Sequence, residues 1–389
     1  METRLTAQPY PGHLLLVTLE DPSNPDSWSG IPYNTRLALE RQIEKVSVLA
    51  GLRPKRTLLH GLLRAALGQQ RYPLYLTPPA QRQFARETED AIRRLKPDAV
   101  LAISSHCLIH IQDPGVPVYM MTDAPWLTWK QTYQSFDKMP LLGPRFARLE
   151  AAAAQKCTRL IFPSRWAAEE AQRLYGVSPE QTRVHPLGAN WFPALDGTSL
   201  DAAISARSSD EIRLLFVGKD WERKGGPLAL DIARGLKSAG AKVHLDVVGG
   251  FQEIPAGLAD IVTAHGLLRI SDPSEGLKLQ QLFLSSHFLV VPTEAECFGL
   301  VFAEAQAFGL PPVSRAVHAV PSIIEDGVTG ILEPVDAAAD FYVRRILALA
   351  SDRQAYLAMA RAARQRFESC LNWDAFARGV VDEMRISLR

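Results

Sequence analysis

The stretch GKDWERKGG (218–226) places Lys219, Arg223 and Lys224 within six residues, with glycines on both sides. It follows an apolar run that reads as a strand, IRLLFVG (212–218), and precedes one with helical spacing, GPLALDIARGLKSAG (226–240). Glycine lets backbone amides approach a ligand closely, and a helix starting there presents its positive N-terminal end. A phosphate or diphosphate suits that chemistry. A solvated basic turn suits the composition too, because the spacing is neither a phosphate-loop nor a dinucleotide fingerprint. A second loop carries acids. In PTEAECFGLVFAEAQAFGLP (292–311), Glu294, Glu296 and Glu304 stand in some of the most apolar sequence of the chain. A carboxylate there is costly unless a ligand or partner satisfies it. Glu304 lies eight positions after Glu296, close to two helical turns, which returns it to the side of the helix start. The amides of Phe298, Gly299 and Leu300 at that start can bind an anion or a sugar hydroxyl, and carboxylates are strong acceptors for hydroxyl donors. The pair suits a ligand that is part phosphate and part polyol. Glu294 reads as a surface charge of the loop, with contact to a ligand as the alternative.

These loops need a scaffold that brings strand ends together, and the pattern around them supplies one. HLLLVTLE (13–20), DAVLAIS (98–104), VPVYMMTD (116–123) and RLIFPS (159–164) read as strands, and TRVHPLGAN (182–190) closes the first series. YNTRLALERQIEKVSVLAG (33–51) has helical spacing, and Ser164 caps a helix that Gly176 ends. The stretch 193–210 is small, polar and turn-rich, and reads as a linker. A second series follows: strands 212–218, 242–249, 261–266, 287–293 and 310–314, with a helix over 299–309 and a helical tail. Strand–helix alternation in two series predicts an α/β chain with two parallel-sheet domains. Ligands of such sheets bind beyond the carboxyl ends of the strands. The expected division is 1–195, a linker at 196–210, 211–370, and a C-terminal helix, 371–389, that crosses back to the first domain.

The bulk numbers narrow the class. The 389 residues carry 43 Lys+Arg against 42 Asp+Glu, a net charge of +1, without the basic excess usual for nucleic-acid binding. Four cysteines, Cys107, Cys157, Cys297 and Cys370, have neither disulfide nor zinc spacing. The longest early apolar run is too short to span a membrane and no signal-peptide pattern precedes it, so a cytoplasmic protein is expected. The basic stretch RPKRTLLHGLLRAALGQQR (53–71) is amphipathic and reads as a packed surface helix or as a peripheral membrane contact.

The Glu-x7-Glu element of ECFGLVFAE, the upstream FVG…RKG, the HPLGAN loop and EDGVTGIL (325–332) together resemble the family 4 glycosyltransferases, retaining enzymes of the GT-B fold. The resemblance covers nearly the whole chain and is strongest from Leu214 to Gly330. It implies two Rossmann-like domains facing across a cleft, a nucleotide-diphosphate sugar as donor, a hydroxyl acceptor, and no metal or other cofactor. Carried over residue by residue, it puts Glu296 on the donor sugar and Glu304 on the ribose. The backbone of Phe298, Gly299 and Leu300 meets sugar and diphosphate, Lys219 and Lys224 take the diphosphate with Arg223 beside them, and Leu267 and Leu268 lie near the base. Lys219 stands where the family usually has arginine, which keeps the charge and loses the bidentate fork. In the first domain EDPSNPDSWSGIPYNT (20–35) offers Glu20, Asp21, Trp28, Ser29, Gly30 and Tyr33 to the cleft. TDAPWLTW (122–129) places Asp123 where many members carry a histidine, and Trp126 and Trp129 form an apolar or sugar-stacking wall or core. His106 and Asn190 complete the acceptor-side candidates. Asp123, Lys224 and Glu296 are the expected catalytic residues. One departure stands out: His318-Ala319 occupies the place of the family's usual Gly-Gly, which puts the sugar or acceptor pocket in question and makes His318 a candidate contact. The alternatives are a non-catalytic partner of another transferase that keeps the fold, or a GT-B enzyme of another sugar-nucleotide reaction.

Overall fold

In the computed structural model, the described residues are 8–55, 61–62, 65–66, 73–133, 142–193, 195–207, 210–250 and 253–388. Most of the basic stretch 53–71 lies outside them. The chain forms two compact units: Met1–Leu187 with Trp373–Arg389, and Gly188–Asn372.

Unit 1 holds a six-stranded parallel sheet of β1 (Tyr10–Thr18), β2 (Ile43–Leu49), β3 (Ala99–Ile103), β4 (Val118–Met121), β5 (Arg159–Phe162) and β6 (Thr182–Val184), in the order β2-β1-β3-β4-β5-β6. Its inner strands are continuous buried apolar runs: Leu14 to Val17 and Ala99 to Ile103 are at most 1% exposed. That is the signature of a parallel sheet covered by helices on both faces. The register Thr18↔Ile103 and Ile103↔Met121 brings the carboxyl ends of β1, β3 and β4 to one edge. Unit 2 repeats the plan with β7 (Ile212–Gly218), β8 (Val243–Gly249), β9 (Val262–Gly266), β10 (Phe288–Val290), β11 (Pro312–Arg315) and β12 (Ile331–Glu333), in the order β12-β11-β10-β7-β8-β9. Both sheets are doubly wound. In unit 1 the order reverses between β1 and β3, in unit 2 between β7 and β10. At such a switch point the loops leave neighbouring strands toward opposite faces and open a crevice.

Three expectations need correction. The helix read over 33–51 ends at Gln42, and Ile43–Leu49 is strand β2. Ile43, Val46 and Val48 are β-branched and favour an extended edge beside β1. As an edge strand it is only partly buried, so its alternation with Glu44, Lys45 and Ser47 imitated a helix surface. The boundary falls after Leu187 rather than at 195. The reason is local packing: Ala189 N–H donates to Leu371 O at 2.9 Å, and Trp191 packs on Phe308 with ring centroids 4.7 Å apart. The stretch 196–210 is not a bare linker. Asp196 caps a helix, Gly197–Ser205, by accepting from Ser199 N–H at 2.7 Å, and Leu200 and Ile204 bury against Ala360. Buried Arg207 then donates to the carbonyls of Phe308 (2.9 Å) and Gly309 (2.6 Å). A guanidinium on the orphan carbonyls just past a helix end is favourable, and this helix is Leu300–Ala307, which carries Glu304.

The C-terminal helix Trp373–Ser387 belongs to unit 1. Its Glu383, 4% exposed, accepts from Arg159 Nε at 3.1 Å and from Arg183 Nε at 2.8 Å. Arg41 meets Asp374 at 2.6 Å at the other end. No helix among the described residues is long and apolar enough to cross a membrane.

Candidate functional site

The crevice of unit 2 is built by the loops after β7 and β10. Asp220 organises the first: its carboxylate accepts from Arg223 N–H at 3.2 Å and from Arg223 Nε at 3.1 Å, and its carbonyl accepts from Lys224 N–H at 3.0 Å. Gly225 sits at φ +77°, and a Cβ there would come within 2.1 Å of the Pro292 carbonyl oxygen. Only glycine permits that approach, and the approach locks the two loops together. Arg223 O accepts from Glu294 N–H at 2.8 Å and from Thr293 Oγ1 at 3.1 Å, while Arg223 Nη1 donates to Ala295 O at 2.8 Å.

This stitching sets three side chains face to face. Lys224 Nζ forms an ion pair with Glu296 Oε2, and Arg223 Nη1 lies 3.9 Å from the same oxygen. Both partners are largely out of water, at 13% and 9% side-chain exposure, so each depends on the other or on a ligand for its charge. Glu304 is the third. Desolvation lifts its carboxyl to about 7, against the pull of the Lys224 charge and a hydrogen bond from the Asn190 backbone. It keeps some surface open, but the protein around it displaces most of the water that would stabilise its charge. Lys224 therefore pairs with Glu296, and its charge also acts on Glu304. Gly299, at φ +99°, caps the helix that bears Glu304, and a Cβ there would meet the Phe302 ring at 2.6 Å. Phe298 is buried and Leu300 half-buried.

Lys219 and Leu267 are exposed and Leu268 is half-buried. Glu294 is 63% exposed and faces Arg315 at 3.6 Å. His318 resolves the question raised by the missing Gly-Gly. It holds φ +49°, the left-handed region glycine favours. Its Nδ1 receives Glu296 N–H at 3.4 Å, and Ala319 N–H donates back to Glu296 O at 3.4 Å. The side chain turns onto the backbone of the key glutamate. The backbone course a glycine would take is retained at about 1–2 kcal/mol of strain. Asn190, expected on the acceptor side, lies in unit 2 with its N–H on Glu304.

Unit 1 has a cavity of about 380 Å³ at the carboxyl ends of β1, β3 and β4. Thr18, Leu19 and Glu20 enter it from β1, Ile103, Ser104 and His106 from β3, and Thr122, Asp123 and Ala124 from β4. Trp28 closes it from a turn in which Trp28, Ser29 and Gly30 all have positive φ (41°, 53° and 76°). Left-handed backbone at two non-glycine residues is a local cost that the fold sustains. Asp123 Oδ1 accepts from Ala124 N–H at 3.0 Å, which holds the carboxylate against the start of the following turn. Of the expected residues, Glu20, Trp28, His106, Asp123, Trp126 and Trp129 line the cavity, whereas Asp21, Ser29, Gly30 and Tyr33 do not.

Tyr75, Lys130 and Glu150 also line it and were not singled out from the sequence. Glu150 is 3% exposed and accepts from Ser105 Oγ at 2.7 Å and from Trp126 N–H at 3.0 Å. Burial nevertheless lifts its carboxyl to about 7. Its one sequence signal was an acid facing inward from the alanine-rich ARLEAAAAQK. Burial pushes His106 down to about 4, with the Lys130 charge adding to the effect.

Two family models match in succession: "Glycosyltransferase Family 4" over residues 33–190 and "Glycosyl transferases group 1" over 199–366. A D-inositol 3-phosphate glycosyltransferase of Thermobifida fusca is 30% identical over 203 residues, 48% of this chain and 45% of that protein. One from Geodermatophilus obscurus is 34% identical over 201 residues, 46% and 44% of the two chains. The chain thus spans about half the length of the curated relatives it matches. Among solved structures, a glycosyltransferase from Rickettsia africae superposes with a TM-score of 0.65 at 13% identity, covering 98% of this chain and all of that one. Sucrose-phosphate synthase from Thermosynechococcus elongatus gives 0.65 at 18% identity, covering 96% and 98%. Anabaena HepE in complex with UDP and glucose gives 0.61 at 14%, covering 96% and 100%. At such identities the superpositions speak for the fold, which is GT-B. The matched models take in both units, and the chain belongs to the family 4 glycosyltransferases.

Proposed function

We propose that the protein moves a sugar from a nucleoside-diphosphate donor to an acceptor hydroxyl with retention of anomeric configuration. The observation that carries this reading is the triad Lys224, Glu296 and Glu304 at the switch point of unit 2, beside the N-terminus of helix Leu300–Ala307. Lys224, with Arg223 and the exposed Lys219, meets the diphosphate; Glu296 accepts from hydroxyls of the donor sugar; Glu304 accepts from the ribose. The amides of Phe298, Gly299 and Leu300 face sugar and diphosphate, and Leu267 and Leu268 border the base. The cavity of unit 1, with Asp123 and His106, takes the acceptor.

The step balances without a covalent enzyme intermediate. The bond from the anomeric carbon to the diphosphate oxygen breaks, the acceptor oxygen bonds to the same face of that carbon, and the acceptor proton passes to the departing phosphate. The chain's part is to hold the reactants and to stabilise charge on the leaving group. Cationic side chains and a helix terminus supply that charge, so the reading needs no metal. The altered loop at His318-Ala319 does not favour a non-catalytic partner, because it keeps the backbone course and supports Glu296.

The test is turnover of a panel of UDP-, GDP- and ADP-sugars by the full chain. Diphosphate release is followed, and the product's anomeric configuration is read by NMR coupling constants. Lys224→Ala and Glu296→Gln should each lower kcat/KM by roughly 100-fold or more with unchanged circular dichroism. Near-normal turnover in both variants, or an inverted product, would refute the assignment.

A further inference from the structure

We infer that the cavity of unit 1 selects an uncharged, hydroxyl-rich moiety, a polyol or a single sugar unit, and turns away its phosphorylated forms. The inference builds on the proposed transfer for the word acceptor, and it concerns binding that needs no donor.

Three features of the lining carry it. The first is charge. Glu20, Asp123 and Glu150 contribute carboxyl groups, and Lys130 is the one Lys or Arg among the described residues of the lining. Lys130 is 5% exposed, with its ammonium 4.4 Å from the centre of the Trp129 ring and 5.6 Å from that of Trp126. Its charge is already drawn to aromatic faces. Phosphate sites are built the other way, from arginine forks, lysines and free backbone amides. A phosphate dianion here would face the carboxylates of Glu20 and Asp123, with Glu150 only partly ionised at neutral pH, and one unit charge opposed at several ångströms in a half-buried site costs at least a roughly tenfold loss of affinity.

The second feature is shape. A cavity of about 380 Å³ lies in the small-molecule range of roughly 300–1,000 Å³. Trp28, Tyr75, Trp126 and Trp129 present apolar ring surface around it, and carboxylates among them are acceptors for hydroxyls. Flat apolar faces beside hydroxyl acceptors match a compact molecule with C–H faces and O–H edges.

The third is an orphaned atom. Nδ1 of His106 bonds Ser104 Oγ at 2.9 Å, while Nε2 is shielded from solvent and has no hydrogen-bond partner among the described residues. A buried polar atom without a partner costs about 1–3 kcal/mol. With the ring neutral at physiological pH, Nε2 is a donor or an acceptor according to the tautomer that Ser104 selects. A hydroxyl, which both donates and accepts, satisfies either role.

The experiment uses the full chain without donor, at neutral pH and low salt. Binding of myo-inositol and glucose is compared with that of myo-inositol 3-phosphate and glucose 6-phosphate by tryptophan fluorescence and saturation-transfer NMR. The neutral member of each pair should bind at least about tenfold more tightly. His106→Ala should weaken the neutral ligands by about fivefold to tenfold. Asp123→Asn should shrink the neutral-to-phosphorylated ratio severalfold. Equal or tighter binding of the phosphorylated members overturns the inference. So does no binding of the neutral members up to about 100 mM, or neutral binding indifferent to both His106→Ala and Trp28→Ala. If the preference holds while no nucleotide sugar is turned over, the donor reading falls and this one stands.

Discussion

Replacing Glu304 by glutamine should stabilise the protein at alkaline pH while disabling it. The carboxyl moves from an ordinary value of 4.5 to about 7, chiefly through desolvation, so the folded state holds the Glu304 proton more tightly than the unfolded chain does. A raised folded pKa gives stability that is fully present below 4.5 and is lost as pH rises through 7. At about 1.4 kcal/mol for each tenfold gain in proton affinity, the ionised carboxylate costs up to ~3 kcal/mol above pH 8 and less than ~1 kcal/mol at pH 5. Glutamine keeps the shape and omits the charge. The variant should therefore gain little at pH 5 and ~2–3 kcal/mol at pH 8, a rise of several degrees in the melting temperature of a unit this size. Lys224 then loses one of its two carboxylate neighbours, which trims the gain. The assay is thermal and urea unfolding at both pH values, paired with binding of the nucleoside diphosphate. The reasoning predicts a more stable protein that binds nucleotide more weakly, since the ribose loses an ionised acceptor. A glutamine variant no more stable at pH 8 than wild type, or one equally stabilised at both pH values, would refute it.

Two further predictions concern the scaffold. Gly225→Ala forces a Cβ to within 2.1 Å of the Pro292 carbonyl at φ +77°; the two loops must part, and a loss of at least ~2 kcal/mol with lost donor affinity should appear in unfolding and nucleotide titrations. Glu383→Ala leaves Arg159 and Arg183 facing an empty partially buried site. A cost of ~3–5 kcal/mol and early cleavage after Leu371 in limited proteolysis are expected.

Several parts of this architecture were legible before any coordinates. Buried parallel strands are continuous apolar runs, and Gly and Ser punctuate their helices. Hence Ile212–Gly218 as β7, the Ser164 cap and Gly176 at its helix end follow from local chemistry. Lys224, Glu296 and Glu304 were visible because charged residues in apolar or glycine-framed strand-end loops demand an explanation. Other parts were not legible, because they depend on partners far along the chain. Residues 43–49 are a strand only because β1 offers an unpaired edge. Residues 197–205 are a packed helix only because Ala360 covers Leu200 and Ile204, and Arg207 becomes a support of the Glu304 helix only through carbonyls about a hundred positions away. Glu150 and Lys130 look like ordinary helix charges in one dimension, and burial alone turns them into the lining of a cavity. His318 in place of glycine suggested an obstruction. Its left-handed backbone and its contact with Glu296 show a support. Residue type and short-range spacing determined the class of fold and the charged groups of the unit 2 crevice. Long-range pairing and desolvation decided the boundary between the units, which charges face each other, and how tightly each carboxyl holds its proton.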